Sequence, residues 1–187
     1  DGQIYIVVDI EGDGPVPGLY SMLSLGAVAI TEDEQADTFY QKLKPLAEAR
    51  QDAETMAWWK TQPEAWQEVT TNSQPAEKVM KQFDAWVKSF KKTPVFVAQP
   101  VAYDYAYVSW YLWRFTSNNP FSDNKGASRT LDLTSFIAGK FGLSLLAARR
   151  ANLPEWMKKG MPKHTHNALD DALGFSIILQ NVLKNRH

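Results

Sequence analysis

The stretch Ile4-Tyr-Ile-Val-Val8, followed directly by Asp9-Ile-Glu11, decides how the rest of this chain folds. A near-continuous run of β-branched and aromatic residues predicts a strand that is buried on both faces. Because residues two apart in a strand point to the same side, Asp9 and Glu11 share a face with Val7. Two such carboxylates repel each other and lose hydration unless a cation neutralises them. Alone, the pair is more often a strand that ends in a solvated acidic turn.

Composition limits the class of protein. The 187 residues, with 44% hydrophobic and 12% aromatic content, predict one globular domain over residues 1–187. A formal net charge of −1 argues against a long nonspecific nucleic-acid clamp, although it allows local contacts with a few phosphates. The absence of cysteine excludes disulfides, thiolate zinc sites and cysteine nucleophiles. No apolar run approaches about 18 residues, so we expect a cytoplasmic protein without a membrane segment.

Strand and helix signals along the chain predict an α/β fold. After the first strand and a loop rich in glycine and proline, residues 24–30 and 37–43 read as a hairpin. Later strands are predicted at 94–99 and 129–132, and helices at 53–62, 64–70, 75–91, 102–115, 133–140 and 167–183. This order predicts a mixed sheet flanked by helices.

Two later acids stand at the head of predicted helices. Asp104 precedes apolar residues at the i+4, i+7 and i+11 positions, a spacing that defines one helix face. Asp171 heads a similar apolar stripe, whereas its neighbour Asp170 heads a more polar one. We therefore expect Asp104 and Asp171 to face the sheet and Asp170 to face solvent. The alternative for Asp104 is a first-turn acid that only complements the helix dipole.

Together, Asp9, Glu11, Asp104 and Asp171 could hold two divalent cations about 3.5–4 Å apart, the spacing used for in-line displacement at phosphorus. His166 lies just before the last helix, and its ordinary pKa of about 6.5 suits a base near neutral pH. Alone, such a histidine is more often a surface loop residue or a helix-start residue without a catalytic role. A His164-x-His166 zinc site is an alternative, but the chain offers few further nitrogen or sulfur ligands.

Three segments resemble the DEDDh 3′–5′ exonucleases of the RNase H-like superfamily. They are Asp9-x-Glu11, Tyr103-Asp104 and His166-x-Ala168-Leu169-x-Asp171-Ala172, in this order and at these separations. The segment Thr55-Met-Ala-Trp58-Trp59, with Trp66 downstream, resembles a bacterial and phage exoribonuclease branch of the same family.

The resemblance implies an RNase H-like mixed five-stranded sheet flanked by helices and a single 3′–5′ exonuclease domain. It also implies two Mg²⁺ or Mn²⁺ ions and release of nucleoside 5′-monophosphates from the 3′ end of a single-stranded nucleic acid. The metal ligands would be Asp9, Glu11, Asp104 and Asp171, the general base His166, and the substrate contacts Gly12, Tyr103 and Lys163.

The chain departs from the family at two positions. Gly12-Asp13 stands where Thr often follows the first-motif Glu, and Gln99-Pro100 replaces the usual His-Asn. Both positions lie near the terminal nucleotide in relatives, so they bear on substrate grip and preference more than on the chemistry. The tryptophan-containing branch tilts the expectation toward RNA, with DNA left open. A homodimer is an alternative to a monomer.

Two further features have alternative interpretations. The tryptophans at 58, 59 and 66 could stack on nucleobases, but such residues more often fill the core, so we expect at most one substrate contact among them. The basic segment before His166 could hold substrate phosphates or form a solvated loop. Its cationic residues are Arg149, Arg150, Lys158, Lys159 and Lys163.

Three rival functions remain open at this point. The first is a noncatalytic binder of nucleic-acid 3′ ends on the same fold. The second is a metal phosphohydrolase that acts on small nucleotides. The third is a structural domain whose acids are capping and surface groups.

Overall fold

The computed structural model describes residues 2–123, 126–162 and 165–185, and a mixed five-stranded sheet forms its centre. The strands are β1 (Gln3–Gly12), β2 (Met22–Ile30), β3 (Gln35–Lys42), β4 (Thr93–Ala98) and β5 (Thr130–Asp132). Their spatial order is β3-β2-β1-β4-β5. The central strand β1 runs antiparallel to β2 and parallel to β4. The predicted α/β fold with a mixed five-stranded sheet is confirmed.

Seven α-helices surround the sheet in the described part of the chain. They are α1 (Ala53–Trp59), α2 (Pro63–Thr70), α3 (Ala76–Ser89), α4 (Val101–Thr116), α5 (Leu133–Phe141), α6 (Glu155–Lys158) and α7 (Ala168–Lys184). The first ends three residues earlier than predicted, because the Thr61 N–H and hydroxyl both donate to the Trp58 carbonyl and turn the chain away. The basic segment before His166, for which a solvated loop was one alternative, contains a 3₁₀ turn (Arg150–Asn152) and the short helix α6.

The two faces of β1 are covered by different helices. Ile4, Ile6, Val8 and Ile10 pack in one core cluster with residues of α3 and α4. Val7 packs in a second cluster, on the opposite face, with residues of α5 and α7. Since side chains alternate along a strand, Asp9 and Glu11 lie on the α7 face. Both faces being covered explains the near-continuous apolar pattern of β1.

Gly26 brings α7 directly against the sheet. It lies in β2 opposite Asp9, and a Cβ atom there would be 2.3 Å from the Ala168 carbonyl carbon and 2.4 Å from the Leu169 nitrogen. Only a residue without a side chain allows this approach. The start of α7 is thereby fixed close to the end of β1. None of the helices in residues 2–123, 126–162 and 165–185 has the length and apolarity needed to cross a membrane.

Candidate active site

Three carboxylates from distant parts of the chain meet beside the end of β1. Asp9, Glu11 and Asp171 each offer an oxygen, and these three oxygens lie within 4.8 Å of one another. Asp171 comes from the first turn of α7, whose Asn167 side chain accepts hydrogen bonds from the Leu169 and Asp170 N–H groups at 2.9 and 3.3 Å. This cap fixes the helix start and directs Asp171 toward the strand. We refer to Asp9, Glu11 and Asp171 as the acidic cluster.

The neighbouring acid Asp170 takes a different direction. Its carboxylate accepts a hydrogen bond from the Thr165 hydroxyl at 2.6 Å, in an exposed environment. Asp171, in contrast, is 3% exposed. The two adjacent acids therefore provide a matched pair for experiments, one inside the acidic cluster and one outside it.

Asp104 reaches the same region from the opposite face of the sheet. It is 3% exposed in the first turn of α4, and its Oδ1 atom accepts a hydrogen bond from the Ile10 N–H at 2.9 Å. Ile10 lies between Asp9 and Glu11, so this bond ties α4 to the acidic part of β1. Among the described residues, Asp104 is not in the group whose oxygens converge within 4.8 Å, but after burial its charge is the largest influence that raises the pKa of Asp9.

Burial makes these acids hard to ionise. Burial, then the charges of Asp104, Glu11 and Asp171, raise the pKa of Asp9 well above its usual value. Burial and the charges of Asp171 and Asp104 raise the pKa of Glu11 to about 8. Burial also raises the pKa of Asp104 to about 7, although the hydrogen bond from Ile10 opposes this shift. A divalent cation would remove the repulsion, and a set of carboxylate oxygens suits hard ions such as Mg²⁺ or Mn²⁺.

Arg150 already supplies one positive charge to the acidic cluster. Its Nη1 atom lies 3.0 Å from Asp171 Oδ1, and its guanidinium carbon lies 5.4 Å from the centre of the Phe175 ring. The sequence pointed to Arg150 only as one member of a basic segment. No local pattern signals the pairing, because it depends on how the turn at Arg150–Asn152 folds back against α7. Lys158, from the same segment, pairs with Glu155 at 2.9 Å instead.

His166 has a constrained position just before α7. Its backbone φ is 55°, in the left-handed region, where a non-glycine residue is uncommon and often marks a functional site. Its ring contacts Trp58 edge to face, with the ring centroids 5.2 Å apart. Trp58 also contacts Trp59, whose indole N–H donates to the Gly12 carbonyl at 3.0 Å. Helix α1 therefore connects the end of β1 with His166.

The three tryptophans of this region have different environments. Trp59 is buried in a small apolar cluster, and Trp66 packs against that cluster. Trp58 is 40% exposed. Trp59 thus fills the core, Trp66 packs against it while only partly buried, and Trp58 is the most exposed of the three and lies beside His166.

Gly12 and Tyr103 lie next to Glu11 at the base of the loop that follows β1. The Tyr103 hydroxyl donates to the Gly14 carbonyl at 3.2 Å. A Cβ atom at Gly12 would lie 2.9 Å from that hydroxyl oxygen. Burial and the charge of Asp104 raise the pKa of Tyr103, so its hydroxyl stays protonated. Lys163, predicted as a substrate contact, and His164, of the alternative zinc site, lie outside the described residues.

Residues 5–183 match the Rv2179c-like domain family, described as a 3′–5′ exoribonuclease domain. The chain belongs to this family. A relative from Escherichia coli, the 3′–5′ DNA exonuclease Cap18, is 30% identical over 181 residues, which cover 92% of this chain and 87% of Cap18. This Rv2179c-like domain is a 3′–5′ exonuclease, a hydrolase of phosphodiester bonds.

Solved structures share the fold at low sequence identity. The nuclease domain of 3′hExo, a DEDDh family member solved with rAMP, matches with a TM-score of 0.72 and 12% identity over 98% of this chain and 92% of that one. Pop2p of S. pombe, in a form with Mg²⁺ and Mn²⁺ bound, matches with a TM-score of 0.66 and 11% identity over 97% and 83%. The chain spans 64% of a longer 3′-exonuclease solved with the histone mRNA stem-loop. The predicted RNase H-like fold and DEDDh resemblance are confirmed.

Proposed function

We propose that this Rv2179c-like domain removes nucleotides one at a time from the free 3′ end of a single-stranded nucleic acid and releases nucleoside 5′-monophosphates. The observation that carries the proposal is the convergence of three carboxylate oxygens, from half-buried Asp9 and Glu11 and buried Asp171, within 4.8 Å. Ionised carboxylates that converge in this way repel one another, and a shared divalent cation removes the repulsion.

The acidic cluster and Asp104 are the residues that would hold two divalent cations. When bound, such cations lower the pKa of a water molecule and stabilise the departing oxygen. The carboxyl groups of Asp9, Glu11 and Asp104 have raised pKa values without metal, so cation binding is expected to release protons from the site. The Mg²⁺- and Mn²⁺-bound form of Pop2p, which has the same fold, supports these two ions as cofactors.

We assign His166 as the general base that accepts the proton of the attacking water. Its imidazole stands just before α7, five residues from Asp171, and the Trp58 ring limits its orientation. Preorganised contacts of this kind matter because a general base must lie within hydrogen-bond reach of the proton it removes. Gly12 and Tyr103, beside Glu11, are our candidates for contact with the terminal nucleotide, as is Lys163.

We propose RNA as the preferred substrate, with DNA as the competing candidate. The family description names an exoribonuclease activity, whereas the Cap18 relative is described as a DNA exonuclease. Discrimination between the two depends on contacts with the ribose 2′-hydroxyl. The sugar preference therefore has to be measured on this chain itself.

The test is digestion of matched 5′-labelled RNA and DNA oligomers with Mg²⁺. The proposal predicts ladders that shorten from the 3′ end, no digestion after addition of chelator, and faster loss of the RNA. Asp171→Asn should abolish the ladder, whereas Asp170→Asn, the matched variant of the neighbouring acid, should leave it nearly unchanged. Binding without turnover would instead identify a noncatalytic binder of 3′ ends.

A further inference from the structure

A cavity of about 310 Å³ adjoins the acidic cluster on the side of Arg150. It is lined by Gln99, Pro100, Thr134, Arg149 and Arg150. Arg150 belongs to both features, because it lines this cavity and also pairs with Asp171 at 3.0 Å. The volume is about ten times the roughly 30 Å³ that one water molecule occupies in the liquid. A group larger than a single ion therefore fits beside the carboxylates.

Four of the five residues that line the cavity carry a cationic or polar group. Arg149 is exposed and forms no ion pair with any residue in the described ranges, so its charge is available to a ligand. The Gln99 amide donates to the Thr134 hydroxyl at 2.6 Å, while its Oε1 atom is buried and has no hydrogen-bond partner among the described residues. Because Oε1 only accepts hydrogen bonds, its missing partner is a donor, such as a water molecule or a sugar hydroxyl of a bound strand, and not a phosphate oxygen.

A further acid near this cavity, Asp132, is already engaged by backbone donors. Asp132 accepts hydrogen bonds from the Val101 N–H at 3.0 Å and from the Ser135 N–H at 2.7 Å, so both of its oxygens have backbone donors. It therefore offers little competition for the two guanidinium groups. Two arginines beside the Thr134 hydroxyl, which can still donate its own proton, suit a phosphate group, because the guanidinium fork matches the geometry of phosphate oxygens.

We propose that this cavity binds an internucleotide phosphate of the substrate strand, with Arg149 and Arg150 as its cationic contacts. This proposal rests on the proposed exonuclease function. It predicts that the site distinguishes a nucleic-acid strand from a mononucleotide, which lacks an internucleotide phosphate. Arg150 neutralises Asp171 in the absence of metal. If a bound divalent cation neutralised Asp171, the Arg150 guanidinium would be available to the phosphate.

Arg149 provides the first test, through binding rather than turnover. The dissociation constants of a fluorescent RNA oligomer and of 5′-AMP are measured with Ca²⁺ in place of Mg²⁺. Arg149→Ala should weaken oligomer binding about tenfold and lower its salt slope by about 0.7, with little change for 5′-AMP. The dissociation constant of the oligomer for Arg149→Lys should lie between the values for the parent protein and Arg149→Ala. Lys78→Ala, which removes an exposed charge on α3, should change neither ligand. Equal losses for both ligands, or none, would overturn the subsite.

Arg150 provides a second test, in which the affinities for metal and for RNA should change in opposite directions. Arg150→Met should bind Mn²⁺ at least about threefold more tightly than the parent protein, because the competing guanidinium cation has been removed. It should bind the RNA oligomer more weakly. Calorimetry gives the first constant and fluorescence anisotropy the second. If Arg150 had only a structural role, its replacement would weaken the binding of both Mn²⁺ and the RNA oligomer. That result would contradict the proposal.

The position of the phosphate along the strand follows from a substrate scan. Uncharged methylphosphonate linkages are placed one at a time in the oligomer. At one position, the uncharged linkage should weaken binding to the parent protein but not to Arg149→Ala. This non-additive result would show that the Arg149 side chain interacts with the phosphate at that position. Additive losses at every linkage would refute the contact. The 3′-shortening ladder tests the exonuclease function separately, so a failed ladder and a failed Arg149 effect are distinguishable.

Discussion

The rings of Trp58 and His166 lie edge to face, with their centroids 5.2 Å apart and their planes at 83°. The contact joins two segments more than 100 residues apart in the sequence. Because the adjacent Trp59 is bonded to the Gly12 carbonyl, the same helix also contacts the end of β1. Helix α1 thus contacts both β1, which supplies two of the acids, and His166, the proposed base.

Loss of the contact between Trp58 and His166 should reduce kcat. Trp58→Ala should lower kcat about tenfold, because His166 loses the ring that limits its orientation, while Trp58→Phe should retain most activity. The melting temperature should change little, since Trp58 is 40% exposed. Steady-state kinetics on an RNA oligomer separate kcat from KM. An effect on KM alone would assign Trp58 to substrate stacking and contradict the positioning role.

Removing one charge from the acidic cluster should stabilise the metal-free protein. Asp9→Asn relieves repulsion from Glu11 and Asp104, so the free energy of unfolding at about pH 8 should rise by about 1 kcal/mol. Mn²⁺ should raise the melting temperature of the parent but much less that of the variant.

Asp33→Asn, in the exposed turn between β2 and β3, is the matched control and should respond to Mn²⁺ as the parent does. Equal Mn²⁺ stabilisation of the parent and Asp9→Asn would exclude Asp9 from the cation site.

The stability of the metal-free protein should fall as pH rises. The pKa values of Glu11 and Asp104 are raised from 4.5 and 3.8 to about 8 and about 7 in the folded state. Between the lower and upper values the folded protein binds more protons than the unfolded chain, so rising pH favours unfolding. Urea unfolding in chelator should therefore give a decreasing free energy from about pH 5 to about pH 8, and saturating Mn²⁺ should flatten the decrease. Increasing stability over this range in chelator would contradict the burial of these carboxylates.

Adding one methyl group at Gly26 should displace Asp171 without touching it. In Gly26→Ala the new Cβ would meet backbone atoms of α7 at 2.3–2.5 Å, so the helix start must move. We expect a loss of about 1–3 kcal/mol in unfolding free energy and a large loss of turnover.

The matched control is Gly139→Ala, in the exposed part of α5, where a Cβ meets nothing within 4 Å. It should leave turnover unchanged and raise stability by about 0.5–1 kcal/mol. Full activity in Gly26→Ala would mean that the contact with α7 does not position the site.

Periodicity was sufficient to predict the sheet and the direction of the acids. The alternation in β1 gives the shared face of Asp9 and Glu11, and the helical stripe that begins at Asp171 distinguishes it from Asp170. These features are local, so a single sequence carries them.

Contacts that depend on the path of loops were not predictable in this way. The Arg150–Asp171 pair requires the 3₁₀ turn to fold back on α7, and the Trp58–His166 contact requires α1 to cross the end of the sheet. Asp104 was predicted to face the sheet, but its approach from the face opposite Asp171 follows only from the packing of α4. Each of these depends on tertiary structure rather than on spacing in the sequence.

The most direct test of the central claim is anomalous diffraction from crystals grown with Mn²⁺. We predict two peaks about 3.5–4 Å apart, bound by oxygens of Asp9, Glu11, Asp104 and Asp171. Peaks bound only to other acids, or no Mn²⁺ at this end of β1, would contradict the proposed metal site.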